Sequence, residues 1–178
     1  DYLKSHSQQV SRYALALAER QGLSPDEQEA LAIATSLHDI GRIGISEDIW
    51  NKPGPLTDSE LHTVQQHPLL GVIIASAASH QESVLEAVRH HHERYDGFGF
   101  PGRLQGEGIP RLARILAVAD AYAAMTTPRP YRPASASSEA IAELRRGAGT
   151  QFDPGLVEVF IDVIAGMEES TSHEPWGQ

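Results

Sequence analysis

Histidine and aspartate residues that could bind a metal ion recur along this sequence. The chain has nine histidines and no cysteine, so a metal site must be built from imidazole and carboxylate groups. His38 and Asp39 are adjacent at the expected end of a helix. A second helix is expected to end with the triplet His90, His91 and His92. Histidine at a helix C-terminus is also favoured by the helix dipole, so a solvated terminal turn is the alternative for the triplet.

Asp120 is the most informative single carboxylate. It follows the apolar residues 115–119, which predict a helix that is apolar over most of its surface and therefore buried. A buried carboxylate needs a positive partner, and the positions one turn away, 116, 117, 123 and 124, hold only leucine or alanine. A metal ion would satisfy this requirement.

Seven side chains on five predicted helices form the candidate metal-binding set, namely His6, His38, Asp39, His67, His91, His92 and Asp120. His67 precedes Pro68 and taken alone could be a capping or surface residue. Mixed nitrogen and oxygen ligands suit iron, manganese, zinc or nickel. Two such ions about 3.5–4 Å apart can activate water and stabilise the leaving oxygen of a phosphodiester.

Helical patterns dominate the segments that would position these groups. The predicted helices are 5–20, 25 to about 41, one that begins at Thr57 and is interrupted at Pro68, 82–92, 111–126, 135–146 and 154–166. Residues 41–56 and 96–110, rich in glycine and proline, are predicted loops. No strand pattern is evident, which predicts one all-α domain over residues 1–167, followed by a polar tail at 168–178.

The composition excludes some classes of protein. A net charge of −10 argues against bulk DNA or RNA as a partner, because those need a broad basic surface. There is no run of about 18 apolar residues that could cross a bilayer and no secretory leader, so we expect no membrane segment and a cytoplasmic protein. The chain begins at Asp1 without a methionine, so we expect its N-terminus to be truncated from a longer chain.

Four segments resemble the signatures of the HD-GYP domain family. Residues 37–45 read LHDIGRIGI and resemble HDIGK-x-x-I, and residues 91–101 read HHERYDGFGFP and resemble HHE-x-x-DG-x-GYP. Residues 119–126, ADAYAAMT, followed by RPYR at 129–132, resemble AD-x-x-DA-x-T…RPYR. Residues 149–154, GTQFDP, resemble the entry to the closing helix of the family.

The resemblance implies an HD-superfamily helical bundle, extended by additional C-terminal helices, with the seven candidate residues as metal ligands and Asp39 bridging two ions. It also implies hydrolysis of cyclic di-GMP to linear pGpG or to GMP, with cyclic GMP-AMP as a substrate of some members. Members with a third metal carry Glu four residues before the upstream histidine, where this chain has Tyr2. We therefore expect two divalent transition metal ions, with iron or manganese favoured over zinc or nickel.

Two further residues depart from the signatures. Arg42 stands where the family has Lys; arginine stays charged and can bind phosphate, but it is a poor proton donor. Phe100 replaces the Tyr of GYP, which keeps the ring and removes a hydroxyl. We assign Asp39 and Arg42 catalytic roles and Gly99 and Phe100 contacts with substrate, and we expect the two departures to weaken turnover.

Arg129 and Arg132 are predicted to bind substrate phosphate. In an extended, proline-rich segment, residues three apart lie on one side of the chain, and guanidinium groups bind phosphate as a fork. A pair of solvated surface arginines is the alternative.

Three other functions compete with the phosphodiesterase. They are a degenerate module that binds a cyclic dinucleotide or a partner protein without turnover, another HD-type phosphohydrolase acting on nucleotides, and a structural helical bundle. A regulatory domain, a partner protein and a homodimer are the further partners that the sequence leaves open.

Overall fold

The structure is a computed structural model, which describes residues 2–128 and 134–172. Within these ranges the chain forms nine α-helices: α1 (Tyr2–Arg20), α2 (Pro25–Leu37), α3 (Glu47–Trp50), α4 (Asp58–Val64), α5 (His67–Ala75), α6 (Glu82–His90), α7 (Arg111–Thr126), α8 (Ser137–Gly147) and α9 (Pro154–Ser172). Short 3₁₀ helices cover Ile40–Gly44 and Gly106–Gly108. The described residues contain no strand, only an isolated bridge between Ala148 and Phe152, which confirms the all-α prediction.

Local sequence signals set several helix ends. Ser24 and Thr57 each accept a hydrogen bond from the backbone three residues later, where Glu27 and Glu60 return the bond, so both capping boxes are present. Helix α7 has its predicted bounds, because Pro110 and Pro128 flank an uninterrupted run of good helix formers.

Other boundaries differ from the prediction. The expected loop 41–56 contains part of a 3₁₀ helix and the one-turn helix α3. Pro68 does not interrupt a helix. It lies in the first turn of α5, where a backbone N–H has no acceptor within the helix, so proline costs no hydrogen bond there. The break between α4 and α5 comes at Gln65 and Gln66. Helix α9 continues to Ser172, into the segment expected as a tail, because its glutamates favour helix.

Helix α7 forms the centre of the bundle. It packs against α1, α2, α6, α8 and α9, and α2 packs in turn against α6. Ile115 and Leu116 of α7 are fully buried with Leu17, Leu31 and Phe160. Burial of each such side chain contributes roughly 1.5–3 kcal/mol to folding. This core fixes the helices whose ends carry the candidate ligands.

Three aromatic rings join the N-terminal, central and C-terminal helices. The ring of Tyr122 meets Tyr13 edge-on at 5.0 Å and Phe160 at 5.2 Å between centroids. The Tyr122 hydroxyl also lies 2.8 Å from Ser137 Oγ at the start of α8. None of the described helices is both long and apolar enough to cross a membrane.

Candidate metal centre

The seven predicted ligands converge in two adjoining clusters. His6, His38 and Asp39 form the first cluster and His67, His91 and His92 the second, and within each cluster the candidate ligand atoms lie within 4.8 Å of one another. The rings of His38 and His91 join the clusters, with centroids 5.3 Å apart. Asp120 completes the first cluster. Residues from α1, α2, α5, α6 and α7 or their ends therefore meet at one place.

Asp39 belongs to the first cluster and also faces the second. Its Oδ2 atom is 3.6 Å from Nε2 of His38, and its Oδ1 atom is 3.7 Å from Nε2 of His67. One carboxylate thus faces both clusters with different oxygens. This is the placement expected of a bridging ligand.

Three of the histidines are oriented by the same local device. Each Nδ1 donates to the backbone carbonyl three residues earlier, over 2.8 Å from His38 to Thr35, 2.8 Å from His67 to Val64 and 2.7 Å from His91 to Val88. A carbonyl can only accept, so the Nδ1 atoms carry protons. In the neutral ring the Nε2 lone pair is then directed into the cluster, as in metal-binding histidines generally.

The Nε2 atoms of these three histidines are buried and have no hydrogen-bond partner within the described part of the chain. Buried polar atoms are nearly always hydrogen-bonded, because leaving one unpaired is costly. Packing alone does not explain these unpaired nitrogens, two of which, those of His38 and His67, lie 3.6 and 3.7 Å from the oxygens of Asp39. They fit a divalent metal ion, which accepts their lone pairs.

Electrostatics favour the neutral form of the second cluster. Burial is the main cause that lowers the pKa values of His67, His91 and His92, and neighbouring imidazoles lower them further; the pKa of His92 falls to about 4. These imidazoles are therefore neutral at pH 7, which is the form that binds metal.

His38 behaves in the opposite way. Burial alone would lower its pKa, but the carboxylates of Asp120 and Asp39 outweigh burial and raise the pKa to about 9. Without metal, His38 therefore holds a proton at neutral pH. A metal ion bound beside the two carboxylates would replace that proton.

Asp120 is less buried than the sequence predicted, because its side chain faces the cluster and remains 23% exposed. Its Oδ1 atom accepts a hydrogen bond from Nε2 of His6 at 2.9 Å and lies 3.7 Å from Nε2 of His38. Burial opposes its ionisation, but these two imidazoles hold the pKa of Asp120 well below its usual range. Within the described part of the chain, its ion pairs are with these two histidines.

Gly41 allows the segment after Asp39 to lie against α5. A Cβ atom at Gly41 would come within 2.0 Å of the His67 carbonyl oxygen and 2.5 Å of the Gly71 nitrogen. Only glycine permits this approach, which brings Asp39 close to His67 at the start of α5.

Glu93 organises the glycine-rich loop that follows the histidine triplet. Its fully buried carboxylate accepts hydrogen bonds from the nitrogen of Gly102 at 2.6 Å, from that of Leu104 at 3.1 Å and from Nδ1 of His90 at 3.1 Å. His90 also lies 3.3 Å from Glu86. His90 therefore supports the loop, while His91 and His92 belong to the second cluster.

The loop borders a cleft of about 670 Å³ beside the second cluster. Phe100 lines it, and its ring stacks on His92 with centroids 5.0 Å apart. Gly99 also lines it, and a Cβ there would lie 2.2 Å from the nitrogen of Arg94, so packing alone requires glycine. Substrate contacts at both residues stay predictions.

Arg42 lies at the edge of the first cluster. Its Nη1 atom donates to Oδ2 of Asp39 at 2.6 Å, and its guanidinium carbon is 3.9 Å from the centre of the Trp50 ring. Arg129 and Arg132, the predicted substrate-binding arginines, lie outside the described residues.

Sequence reasoning missed Glu93 and Trp50 as residues of this site. The partners of Glu93 are nine and eleven residues away in an irregular loop, where no periodicity applies. Trp50 meets His67 and Arg42 from the one-turn helix α3, which was predicted to be loop.

The fold and this site define a class of protein: an all-helical bundle with a central cluster of histidine and aspartate side chains suited to metal ions. A family model described as HD domain matches residues 1–156. The chain belongs to the HD domain family, within its HD-GYP branch, which confirms the resemblance of its motifs.

Individual relatives agree with this assignment. The cyclic di-GMP phosphodiesterase response regulator RpfG of Xanthomonas campestris pv. campestris is 39% identical over 165 residues, which are 91% of this chain and 43% of RpfG. A cyclic di-GMP phosphodiesterase of Vibrio cholerae is 37% identical over 174 residues, covering 89% of this chain and 35% of the relative. The chain thus spans less than half the length of either relative.

A solved structure shares the fold. The V. cholerae protein described as a cyclic GMP-AMP specific phosphodiesterase superposes with a TM-score of 0.76 at 19% identity, over 96% of this chain and 46% of that chain. At this identity the likeness concerns the fold alone.

Proposed function

We propose that this chain is a metal-dependent phosphodiesterase that hydrolyses a cyclic dinucleotide, with cyclic di-GMP as the first candidate and cyclic GMP-AMP as the second. The observation that carries the proposal is the carboxylate of Asp39, whose two oxygens face the buried imidazoles of His38 and His67 at 3.6 and 3.7 Å. The activities named for the relatives in X. campestris and V. cholerae support the choice of substrate.

The donor set fits two divalent transition metal ions, with iron or manganese favoured and zinc or nickel as alternatives. The proposed ligands of one ion are His6, His38, Asp39 and Asp120, and those of the other are Asp39, His67, His91 and His92. When bound, such a pair supplies Lewis-acid activation of water and of the phosphate. In hydrolysis of cyclic di-GMP, the oxygen of water bonds to one phosphorus, the bond to the leaving ribose oxygen breaks, and that oxygen takes up a proton from water, which gives linear pGpG.

Burial keeps the proposed ligands of the second cluster neutral, and the loop after the histidine triplet shapes the cleft beside them. The neutral imidazoles of the second cluster keep their lone pairs available at pH 7, because burial lowers their pKa values. Glu93 fixes the loop that borders the cleft, and the ring of Phe100 offers an apolar face there to a nucleobase.

Positive charge at the cleft and at the first cluster suits an anionic substrate, although the whole chain carries a net charge of −10. Arg103 lines the cleft and Arg42 lies beside Asp39. Arg129 and Arg132 are proposed to add further phosphate contacts. Local charge of this kind binds an anion that the net charge would repel.

One observation favours a second candidate function, binding without turnover. Arg42 holds Oδ2 of Asp39 at 2.6 Å and cannot donate a proton at neutral pH, so it binds phosphate better than it assists departure of the leaving oxygen. A domain with these groups could hold the dinucleotide and hydrolyse it slowly.

The test is hydrolysis by purified protein loaded with Mn²⁺ or, without oxygen, Fe²⁺. Cyclic di-GMP, cyclic GMP-AMP, a nucleoside triphosphate and a guanosine polyphosphate are incubated separately, and products are separated by chromatography. We expect linear dinucleotide or GMP from a cyclic dinucleotide. Asp39→Ala should abolish turnover and metal content together, whereas His80→Ala, at an exposed histidine, should change neither.

Three results would redirect the assignment. Tight binding of cyclic di-GMP without product supports the binding module. Hydrolysis of the triphosphate or the polyphosphate alone indicates another HD-type phosphohydrolase. Full metal content and normal turnover in Asp39→Ala would refute the bridging role.

A further inference from the structure

We propose that Trp50 is a positioning residue, whose ring holds the guanidinium of Arg42 beside the metal cluster so that Arg42 presents its remaining N–H groups to a substrate phosphate. The inference rests on the proposed function, since it needs an anionic substrate. It adds to that function a residue that lies in none of the family signatures quoted above.

Two independent contacts fix the guanidinium of Arg42. Its central carbon lies 3.9 Å from the centroid of the Trp50 ring, which is close for a cation over an aromatic face. Its Nη1 atom donates to Asp39 at 2.6 Å. An arginine side chain has many rotamers, and holding the guanidinium at one nitrogen and across its face removes much of that freedom.

Part of Arg42 remains available to a ligand. The side chain is 30% exposed, and Asp39 is its only hydrogen-bond acceptor among the described residues. Arginine has five N–H donors in a plane, which matches the oxygens of phosphate. The groups left free after the bond to Asp39 can therefore bind an anion at the cluster.

Trp50 also reaches the second cluster. Its ring meets the edge of His67 with centroids 5.8 Å apart. The residue is the last of α3, which is capped by Ser46 Oγ accepting from the nitrogen of Asp48. The indole therefore fills the space between Arg42 and a proposed metal ligand.

The ring, and not the indole N–H, accounts for tryptophan at this position. The Nε1 atom is buried and finds no hydrogen-bond acceptor among the described residues, which is unfavourable for a buried donor. Leucine or phenylalanine would avoid that cost. Tryptophan offers the strongest cation–π face, and a flat guanidinium stacks on it better than an ammonium does.

The test is a double-mutant cycle in the Mn²⁺-loaded protein with cyclic di-GMP. Trp50→Leu should raise KM roughly 2- to 30-fold, the range expected for losing one cation–π contact, with a smaller change in kcat. Trp50→Phe should recover part of the loss, because it restores an aromatic face. In the Arg42→Gln background, Trp50→Leu should have no further effect on KM, and manganese content should stay at the parent level throughout.

Two outcomes of the cycle overturn the proposal. An equal rise of KM in the Arg42→Gln background would show that Trp50 does not act through Arg42. Loss of manganese in both Trp50 variants would assign the ring to the support of His67 instead.

A fluorescence measurement separates this inference from the proposed function. The chain has two tryptophans, so Trp176→Phe leaves Trp50 as the only tryptophan, which is excited at wavelengths that its five tyrosines do not absorb. Arg42→Gln should change its emission, whereas Arg146→Gln, at an exposed arginine on α8, should not. If the parent hydrolyses no cyclic dinucleotide, the proposed function fails, and the pairing is judged on emission alone. Equal responses to the two substitutions would overturn it.

Discussion

Replacement of Gly41 by alanine should disrupt the candidate metal centre without removing any proposed ligand. Gly41 lies in the 3₁₀ helix Ile40–Gly44, directly against α5. Its backbone φ is not in the left-handed region, so alanine is excluded by space and not by conformation. The perturbation is therefore a single methyl group at a backbone contact.

The size of the effect follows from the distances. The added Cβ would lie 2.0 Å from the His67 carbonyl oxygen, whereas real Cβ contacts are essentially never shorter than 3.0 Å, so the two segments must separate by about 1 Å. Overpacking of this kind costs about 1–3 kcal/mol of stability. A displacement of 1 Å at a catalytic site costs about 100-fold in rate.

The shift acts on both sides of the contact. Asp39 precedes Gly41 by two residues, and His67 carries the carbonyl that must move, so the carboxylate and the imidazole should be drawn apart. We expect weaker metal binding and about 100-fold slower turnover. Urea unfolding, metal analysis and the hydrolysis assay measure the three effects on the same preparation.

Gly166→Ala is the matched control. Gly166 lies inside α9 with no atom within 4 Å of an added Cβ, so alanine should stabilise the protein by about 0.5–1 kcal/mol and leave turnover unchanged. If Gly41→Ala retained parental metal content and turned over within twofold of the parent, close packing at Gly41 would not position the site.

Three further predictions concern the metal and its surroundings. Metal analysis of saturated protein should find about two ions per chain, and three fully occupied protein-bound sites would contradict the expected pair. Arg129→Ala and Arg132→Ala should each weaken binding of cyclic di-GMP by about 1.5–3 kcal/mol, or about 10- to 150-fold in titration calorimetry, with normal metal content; parental affinity in both would make them surface residues. Folding raises the pKa of His38 to about 9, so protonated His38 stabilises the metal-free protein and this stabilisation is lost when the ring gives up its proton. The free energy of unfolding, measured with urea, should therefore fall by about 3 kcal/mol as pH rises from about 6.5 to about 9. The loss should be absent from His38→Gln.

The sequence predicted those parts of the fold that depend on neighbours along the chain. The capping boxes at Ser24 and Thr57 form within four residues, so their patterns are sufficient. Helix α3 was missed because a single turn has too few residues to show a period.

Convergence of the site could be predicted only in part. Asp120 and His6 are 114 residues apart, and no local pattern relates them; they entered one candidate set only because both are metal-binding residue types on predicted helices. The burial of Asp120 was overestimated. The apolar residues before it indicate that the helix is buried, but they do not indicate which way the side chain of Asp120 points. The stacking of Arg42 on Trp50 depends on how α3 packs, which spacing cannot supply.

The loop after the histidine triplet is tied to the chain far downstream by backbone atoms. The nitrogens of Tyr95 and Asp96 donate to the carbonyls of Gln151 and Thr150 at 3.2 and 2.8 Å. Because the acceptors are main-chain atoms, substitutions of Thr150 or Gln151 should be tolerated. Deletion of one of these two residues would instead move a carbonyl away from its donor. A shortened chain that stopped before Thr150 would keep all seven proposed ligands and still lose the anchor of the loop beside them.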